Sequence, residues 1–161
     1  MSDMLEIRGL TKRFGPFTAV DDVSFTVKSG EVLGFLGPNG AGKSTTMKMV
    51  TGFLPPTSGT AIVCGADVTR DPIAVKRHIG YLPEGAPLYD DMTTGGLLDF
   101  VADIRGLKGA ERRNAIDVAV ERLQLDEVFH QQIGTLSKGF KRRVGFAQAI
   151  LHDPDVLILD E

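Results

Sequence analysis

The stretch GPNGAGKS, from Gly37 to Ser44, constrains the fold of this chain more than any other part of the sequence. It fits the pattern G-x-x-x-x-G-K-[ST], in which a glycine-rich loop follows a strand and opens a helix. The apolar run EVLGFLG in front of it predicts a short strand buried on both faces. Residues Gly42 to Thr51 predict a helix, which Pro55-Pro56 prevent from continuing. The sequence therefore supplies the context that such a loop requires.

The residue types in this loop suit the binding of a phosphate chain. Glycines allow backbone angles that turn successive N–H groups inward, and the following helix directs its positive end at the same point. Lys43 adds a mobile positive charge, and the Ser44 hydroxyl can bind Mg²⁺. We call this segment the phosphate loop. Its predicted binding residues are Gly37, Pro38, Asn39, Gly40, Ala41, Gly42, Lys43, Ser44 and Thr45. The alternative is an ordinary tight turn that matches the pattern by chance.

The segment DVLILDE, at residues 155–161, predicts a second part of the same site. Four apolar residues, Val156 to Leu159, predict a buried strand, and Asp160 and Glu161 follow it. A carboxylate in this position suits Mg²⁺ ligation opposite a phosphate loop, and the next one could act on an attacking water. An acidic pair exposed after a strand is the alternative, and the phosphate loop favours the metal-binding interpretation.

The composition is that of an ordinary globular protein. The 161 residues carry a formal net charge of -3, which does not suit a protein that neutralises a nucleic-acid backbone. A single cysteine excludes an internal disulfide framework and fits a reducing compartment. Neither a membrane-spanning run nor a signal peptide is recognisable in the sequence. We therefore expect a cytoplasmic protein that reaches a membrane only through a partner.

The order of the remaining elements predicts a β-rich first part and a helical second part. MLEIRGL, VSFTVKSGE, GTAIVCG and HIGYLPE predict strands, and Asp71-Pro72 predict the start of a short helix to about Arg77. GGLLDFVADIRGL and GAERRNAIDVAVERLQL predict helices. Within one domain we expect a nucleotide-binding core at 1–87, a helical subdomain at 88–135, and a helix and strand at 136–161.

Two long segments resemble the ATP-binding domains of ABC transporters. LSKGFKRRVGFAQAILHDPDVLILDE resembles the region from the signature helix to the magnesium-binding strand, and LTKRFG through PPTSG resembles the N-terminal region. IGYLPEGAPLYDDMT further resembles the subgroup that drives ABC-2-type permeases. The resemblance implies an α/β fold: a P-loop NTPase core with an N-terminal antiparallel β subdomain and an inserted helical subdomain. It also implies that the last strands and helices of the core, which follow the position of Glu161 in this family, are missing.

The resemblance assigns roles to residues that spacing alone does not single out. Phe14 stands where an aromatic ring usually stacks on adenine, although it could instead be a core aromatic. Glu84 stands where many relatives have a glutamine that touches Mg²⁺ and contacts the permease; an exposed loop acid is the alternative. Asp160 would help to hold Mg²⁺, Glu161 would act on the hydrolytic water, and Lys43 would assist catalysis.

The segment LSKGF, Leu136 to Phe140, stands at the family's signature position, usually written LSGGQ. In the family this segment faces the ATP held by the other subunit of a dimer. Ser137 and Gly139 are retained and would contact the γ-phosphate, whereas Lys138 and Phe140 depart from the pattern. The alternative is a plain helix cap formed by Ser137.

The resemblance implies an ATP-binding and ATP-hydrolysing subunit of an ABC transporter. Two such subunits would close head to tail over ATP and Mg²⁺ and drive export through a separate ABC-2-type permease at the inner face of the cell membrane. Nucleic acid is not an expected partner. One alternative is a non-transport ABC protein, and another is a truncated nucleotide-binding module without effective hydrolysis. The transported substrate is a property of the permease and cannot be read from this sequence.

Overall fold

A computed structural model describes residues 2–38, 40–85 and 88–160 of the chain. The described residues form two compact units. One unit spans the chain up to Ile79 and contains Asp160, and the other runs from Gly80 to Leu159. The predicted boundaries at residues 87 and 135 stay predictions. No helix among the described residues combines the length and the apolar character needed to cross a membrane.

The first unit is built on a four-stranded antiparallel sheet. Strands β1 (Asp3–Phe14) and β2 (Phe17–Lys28) form a hairpin, β3 (Ser58–Val63) pairs with the other edge of β1, and the short β4 (Ala66–Asp67) pairs with β3. The strand order is β2-β1-β3-β4. The sequence alternation explains the burial of β1, because Leu5 and Ile7 point into the core between more exposed neighbours. The antiparallel β subdomain is thus confirmed.

Two helices belong to this unit. Helix α1 (Lys43–Val50) contacts β1, β2 and β3, and its Met49 and Val50 are fully buried. Helix α2 (Pro72–His78) begins as the sequence predicted, since the Asp71 side chain accepts a hydrogen bond from the Ala74 amide at 3.0 Å. Helix α2 therefore starts at the residue that its local capping signal indicates.

The predicted strand EVLGFLG is wrong. Residues 31–38 adopt no strand, and Val32 and Leu36 are 97% and 92% exposed. Two side chains of the run contact β2: the Glu31 carboxylate accepts a hydrogen bond from the Lys28 amide at 2.8 Å, and the rings of Phe35 and Phe25 lie 5.5 Å apart. A strand buried on both faces requires neighbouring strands and a layer on each side. The described part of this unit offers no such neighbour to the segment, so its apolar composition alone does not make a strand.

The second unit combines three helices with a two-stranded sheet. Strands β5 (Ile79–Leu82) and β6 (Val156–Leu159) form the sheet. The helices are α3 (Thr94–Ile104), α4 (Gly109–Leu123) and α5 (Lys138–Ile150), and the two helices predicted between residues 95 and 125 are confirmed. Short 3₁₀ turns at Asp126–Val128 and Ile133–Thr135 connect α4 to α5. The helices enclose an apolar core that includes Leu97, Leu98, Ile116, Val120, Leu125, Ile133, Val144 and Ala147.

The buried strand predicted over Val156 to Leu159 is present as β6, but it is buried on one face only. Ile158 is buried, whereas Leu157 and Leu159 are 40% and 47% exposed. Successive side chains of a strand point to opposite faces. The described part of this unit covers the face of Ile158 and leaves the other face open.

Helices α3 and α4 are joined by a charged cluster centred on Arg112. Its guanidinium donates from Nε to Asp99 Oδ1 at 2.9 Å, from a terminal nitrogen to the Asp99 carbonyl at 2.8 Å, and also to the Asp103 carboxylate. The hydrogen bond from Arg112 lowers the pKa of Asp103, and the same two carboxylates raise the pKa of Arg112. The cluster therefore fixes one turn of α4 against α3.

Candidate nucleotide-binding site

Gly42, at which the phosphate loop enters α1, has a backbone conformation that favours glycine. It is the N-cap of α1, with φ 90° and ψ 14° in the left-handed region. A Cβ atom on Gly42 would lie 2.4 Å from the carbonyl oxygen of Ala19 on β2. The loop thus packs directly against the hairpin, and a side chain at this position would force the backbones apart.

The first turn of α1 is open to an anion. Among the described residues no side chain caps the helix, and its first turn contains no acidic residue. The amide and the hydroxyl of Thr46 both donate to the Gly42 carbonyl, at 2.9 and 2.8 Å. The amides of Lys43, Ser44 and Thr45 therefore lie at the uncapped positive end of the helix, where phosphate oxygens are favoured acceptors.

The Lys43 side chain folds back over the loop. Its ammonium donates a hydrogen bond to the carbonyl oxygen of Gly37. The loop also contains a turn, in which the Ala41 amide donates a hydrogen bond to the Pro38 carbonyl at 3.1 Å. A positive charge is consequently held at the loop beside the open end of α1, which is the charge distribution that a polyphosphate requires.

The predicted magnesium ligands are oxygen donors, which suits this ion. Ser44 is partly buried in the first turn of α1, and Asp160 is partly buried directly after β6. A hydroxyl, a carboxylate and phosphate oxygens are the ligands that Mg²⁺ prefers, so the residue types present fit the ion. Glu84 is exposed in the loop after β5. The convergence of these side chains on one ion stays a prediction.

Phe14 lies at the tip of the β1–β2 hairpin. It is 48% exposed and pairs with Phe17 across the turn, so it is not a core aromatic. The ammonium of Lys12 lies over its ring, 5.3 Å from the centroid. An exposed flat ring on the same unit as the phosphate loop is compatible with stacking on a base.

Ser137 is the N-cap of α5, as the helix-cap interpretation predicted. Its hydroxyl oxygen accepts a hydrogen bond from the Phe140 amide at 3.2 Å. A serine hydroxyl keeps its own proton as a donor while it accepts, so the cap does not exclude a phosphate contact. Gly139 is exposed in the first turn of α5, and the Arg143 guanidinium lies 5.0 Å from the Phe140 ring centroid.

Two predicted residues, Asn39 and Glu161, lie outside the described residues. Conversely, the sequence reasoning did not single out Lys12. The available signal was its spacing from Phe14, because residues two apart on a strand lie on the same face. That spacing is common, and only the structure shows the cation over the ring.

Known proteins resemble this chain over nearly all of its length. The sequence profile of the ABC transporter family matches residues 20–161. The probable multidrug ABC transporter ATP-binding protein YbhF of Escherichia coli (strain K12) is 42% identical over 158 residues, which are 98% of this chain and 27% of that protein. The uncharacterized ABC transporter ATP-binding protein YhcH of Bacillus subtilis (strain 168) is 40% identical over 161 residues, which are 100% of this chain and 52% of that protein.

A solved structure has the same fold. The structure of an ATP-binding subunit of an ABC transporter superimposes with a TM-score of 0.88 at 31% sequence identity, covering 98% of this chain and 66% of the other. The predicted α/β fold class is therefore confirmed. The chain spans between about a quarter and a half of the length of these curated relatives.

Proposed function

Because the chain belongs to the ABC transporter family, we propose that its phosphate loop binds the triphosphate of MgATP within the ATP-binding part of a transporter. The observation that carries this proposal is the uncapped first turn of α1 with the Lys43 ammonium folded over the loop. A preorganised set of amides and one cation costs little rearrangement when a polyphosphate arrives.

Each residue of the site has a distinct task in this proposal. The amides of the phosphate loop and of the first turn of α1 hold the β-phosphate, and Lys43 exchanges its Gly37 partner for β- and γ-phosphate oxygens. Ser44 and Asp160 hold Mg²⁺, with Glu84 as a further ligand; when bound, the ion neutralises charge on the phosphates. Glu161 orients the hydrolytic water and takes its proton.

The proposed role of the chain is to power export through a separate permease. Two subunits close head to tail, and Ser137 and Gly139 of each contact the γ-phosphate bound by the other. Export is supported by the resemblance of IGYLPEGAPLYDDMT to the ABC-2-type subgroup and by the similarity to YbhF, which is named as a probable multidrug transporter protein. The subunit would then lie in the cytoplasm at the inner face of the membrane, held there by the permease.

Titration calorimetry with ATP and ADP in the presence of magnesium tests the first step. We expect binding by the folded protein and a strong loss of affinity in Lys43→Met. The proposal fails if the wild-type protein and the variant give the same heats with both nucleotides.

A second experiment tests hydrolysis and pairing. Phosphate release is measured for the wild-type protein and for Glu161→Gln, and light scattering follows the mass of each with ATP. We expect the variant to release phosphate more slowly and to accumulate as a dimer with ATP. Equal release rates would contradict the role of Glu161.

A further inference from the structure

We propose that Lys12 is a positioning residue for the nucleotide base: it holds the Phe14 ring from one face, so that the opposite face receives the purine. This inference rests on the proposed binding of ATP at the phosphate loop. Lys12 acts through the ring of Phe14 and does not touch the nucleotide.

Lys12 is itself held in place. Its ammonium donates to the carbonyl oxygen of Pro55 at 2.8 Å while lying 5.3 Å from the Phe14 ring centroid. The neighbouring backbone is tied to the same segment, because the Thr57 amide donates to the Thr11 carbonyl at 2.8 Å and the Arg13 amide donates to the Thr57 hydroxyl at 2.9 Å. These hydrogen bonds hold the Lys12 ammonium over one face of the Phe14 ring, although the ring itself is half exposed.

The position of this pair suits a base whose phosphates lie in the phosphate loop. Lys12 pairs with Val20 on β2, and the Val20 Cγ2 atom lies 3.1 Å from where a Cβ of Gly42 would sit. Phe14 is two residues further along β1, beyond an irregularity in the pairing with β2 between Lys12 and Arg13, so the spacing along the chain is at most about 7 Å. The ribose of a nucleotide can bridge a distance of this size between a stacked base and its phosphates.

The chemistry favours stacking on the face opposite Lys12. An ammonium over an aromatic ring is attracted by its π electrons and limits the orientations that the ring samples. A ring that is already oriented loses less entropy when a base stacks on it. The face that the ammonium covers is closed to the base, so a single stacking face is left.

The test compares ATP with inorganic tripolyphosphate, which has the phosphates without a base. Calorimetry is carried out in the presence of magnesium on the wild-type protein, Lys12→Met, Lys12→Arg and the control Arg13→Met, which removes an exposed cation from the adjacent position of β1. We expect Lys12→Met to weaken ATP binding about three-fold, as an exposed cation–π contact allows. Tripolyphosphate binding is expected to stay unchanged, and Lys12→Arg and Arg13→Met are expected to bind both ligands as the wild type does.

A double-mutant cycle tests whether Lys12 affects ATP binding through the ring of Phe14. In a Phe14→Leu background, which lacks the ring, Lys12→Met should produce no further loss of ATP affinity. The inference is overturned if Lys12→Met weakens ATP and tripolyphosphate equally, if it weakens neither, or if its effect persists without the ring. Failure of the proposed function gives a different result, since Lys43→Met would then leave the binding of tripolyphosphate unchanged.

Discussion

The side-chain ammonium of Lys43 donates a hydrogen bond to the carbonyl oxygen of Gly37, so that a side chain joins the two ends of the phosphate loop. The ammonium also lies beside a helix start that carries neither a capping side chain nor an acidic residue. These features concentrate positive charge at one point of the backbone. Their contribution to nucleotide binding can be tested by removing a positive charge at the start of α1 and, as a control, one at its end.

Replacement of Lys43 by methionine should weaken ATP binding about 10- to 100-fold, the effect of losing a hydrogen bond to a charged group. Lys48→Met is the matched control, because Lys48 is exposed in the last turn of α1 and its charge is remote from the helix start. We expect the control to bind ATP within about two-fold of the wild type, as for a remote screened charge. Calorimetry at one salt concentration checks both, and equal losses would contradict a specific role for Lys43.

Replacement of Gly42 by alanine should lower stability by about 1–3 kcal/mol or more, the range for a strained backbone. The reason is twofold, since φ is 90° at this residue and the added Cβ would meet the Ala19 carbonyl at 2.4 Å. Gly40→Ala separates the two causes, because φ is 85° there and, among the described residues other than its chain neighbours, no atom lies within 4 Å of the added Cβ. Urea midpoints are compared, and a loss no larger than in the control would exclude the steric contribution.

Replacement of Ser137 by alanine should lower the free energy of unfolding by about 1 kcal/mol, the usual cost of losing an N-cap. Aspartate also accepts a hydrogen bond at an N-cap, so Ser137→Asp should keep wild-type stability. Its negative charge should nevertheless prevent ATP-dependent pairing, because it would face the γ-phosphate of the other subunit. Unfolding curves and light scattering check the two effects, and normal pairing of the aspartate variant would disprove the phosphate contact.

Replacement of Arg112 by methionine should lower the melting temperature at neutral pH, because α4 loses its hydrogen bonds to Asp99 and Asp103 on α3. Arg113→Met, at the exposed neighbouring position, is the control and should melt as the wild type does. The hydrogen bond from Arg112 lowers the pKa of Asp103 in the folded protein. The stabilisation by this ion pair is therefore fully present above the ordinary aspartate pKa of about 4. It is lost as the pH falls through the lowered pKa of Asp103 in the folded protein. The difference in melting temperature should therefore narrow on acidification, and a constant difference from pH 7 to about pH 3 would argue against the ion pairs.

Local signals allowed several features to be predicted from the sequence. Asp71 followed by Pro72 indicated the first turn of α2, and the glycine-lysine pair at the end of the phosphate loop indicated the start of α1. In both cases the residues that determine where the helix starts lie within a few positions of that start. The alternation in MLEIRGL and VSFTVKSGE indicated parts of β1 and β2, whereas their antiparallel pairing was expected only from the family resemblance.

Features that depend on distant neighbours could not be predicted in this way. Residues 31–38 have the composition of a buried strand, but a strand requires partners, and these are not specified by the segment itself. The contact between Lys12 and Phe14 depends on the rotamer that the Pro55 carbonyl selects. Likewise, the sequence offered two roles for Ser137, and only the structure shows that its hydroxyl caps α5.

The unpaired segment 31–38 has a thermodynamic consequence for the loop that follows it. The phosphate loop is anchored on α1 at one end, while its other end leads into backbone that no β-ladder holds in the described structure. The first turn of α1 and the Lys43 ammonium are in place before a ligand binds, but binding must also order the segment that leads into the loop, and this part of the site costs chain entropy. Amide hydrogens from Val32 to Leu36 should accordingly exchange with deuterium quickly in the free protein and more slowly when nucleotide is bound.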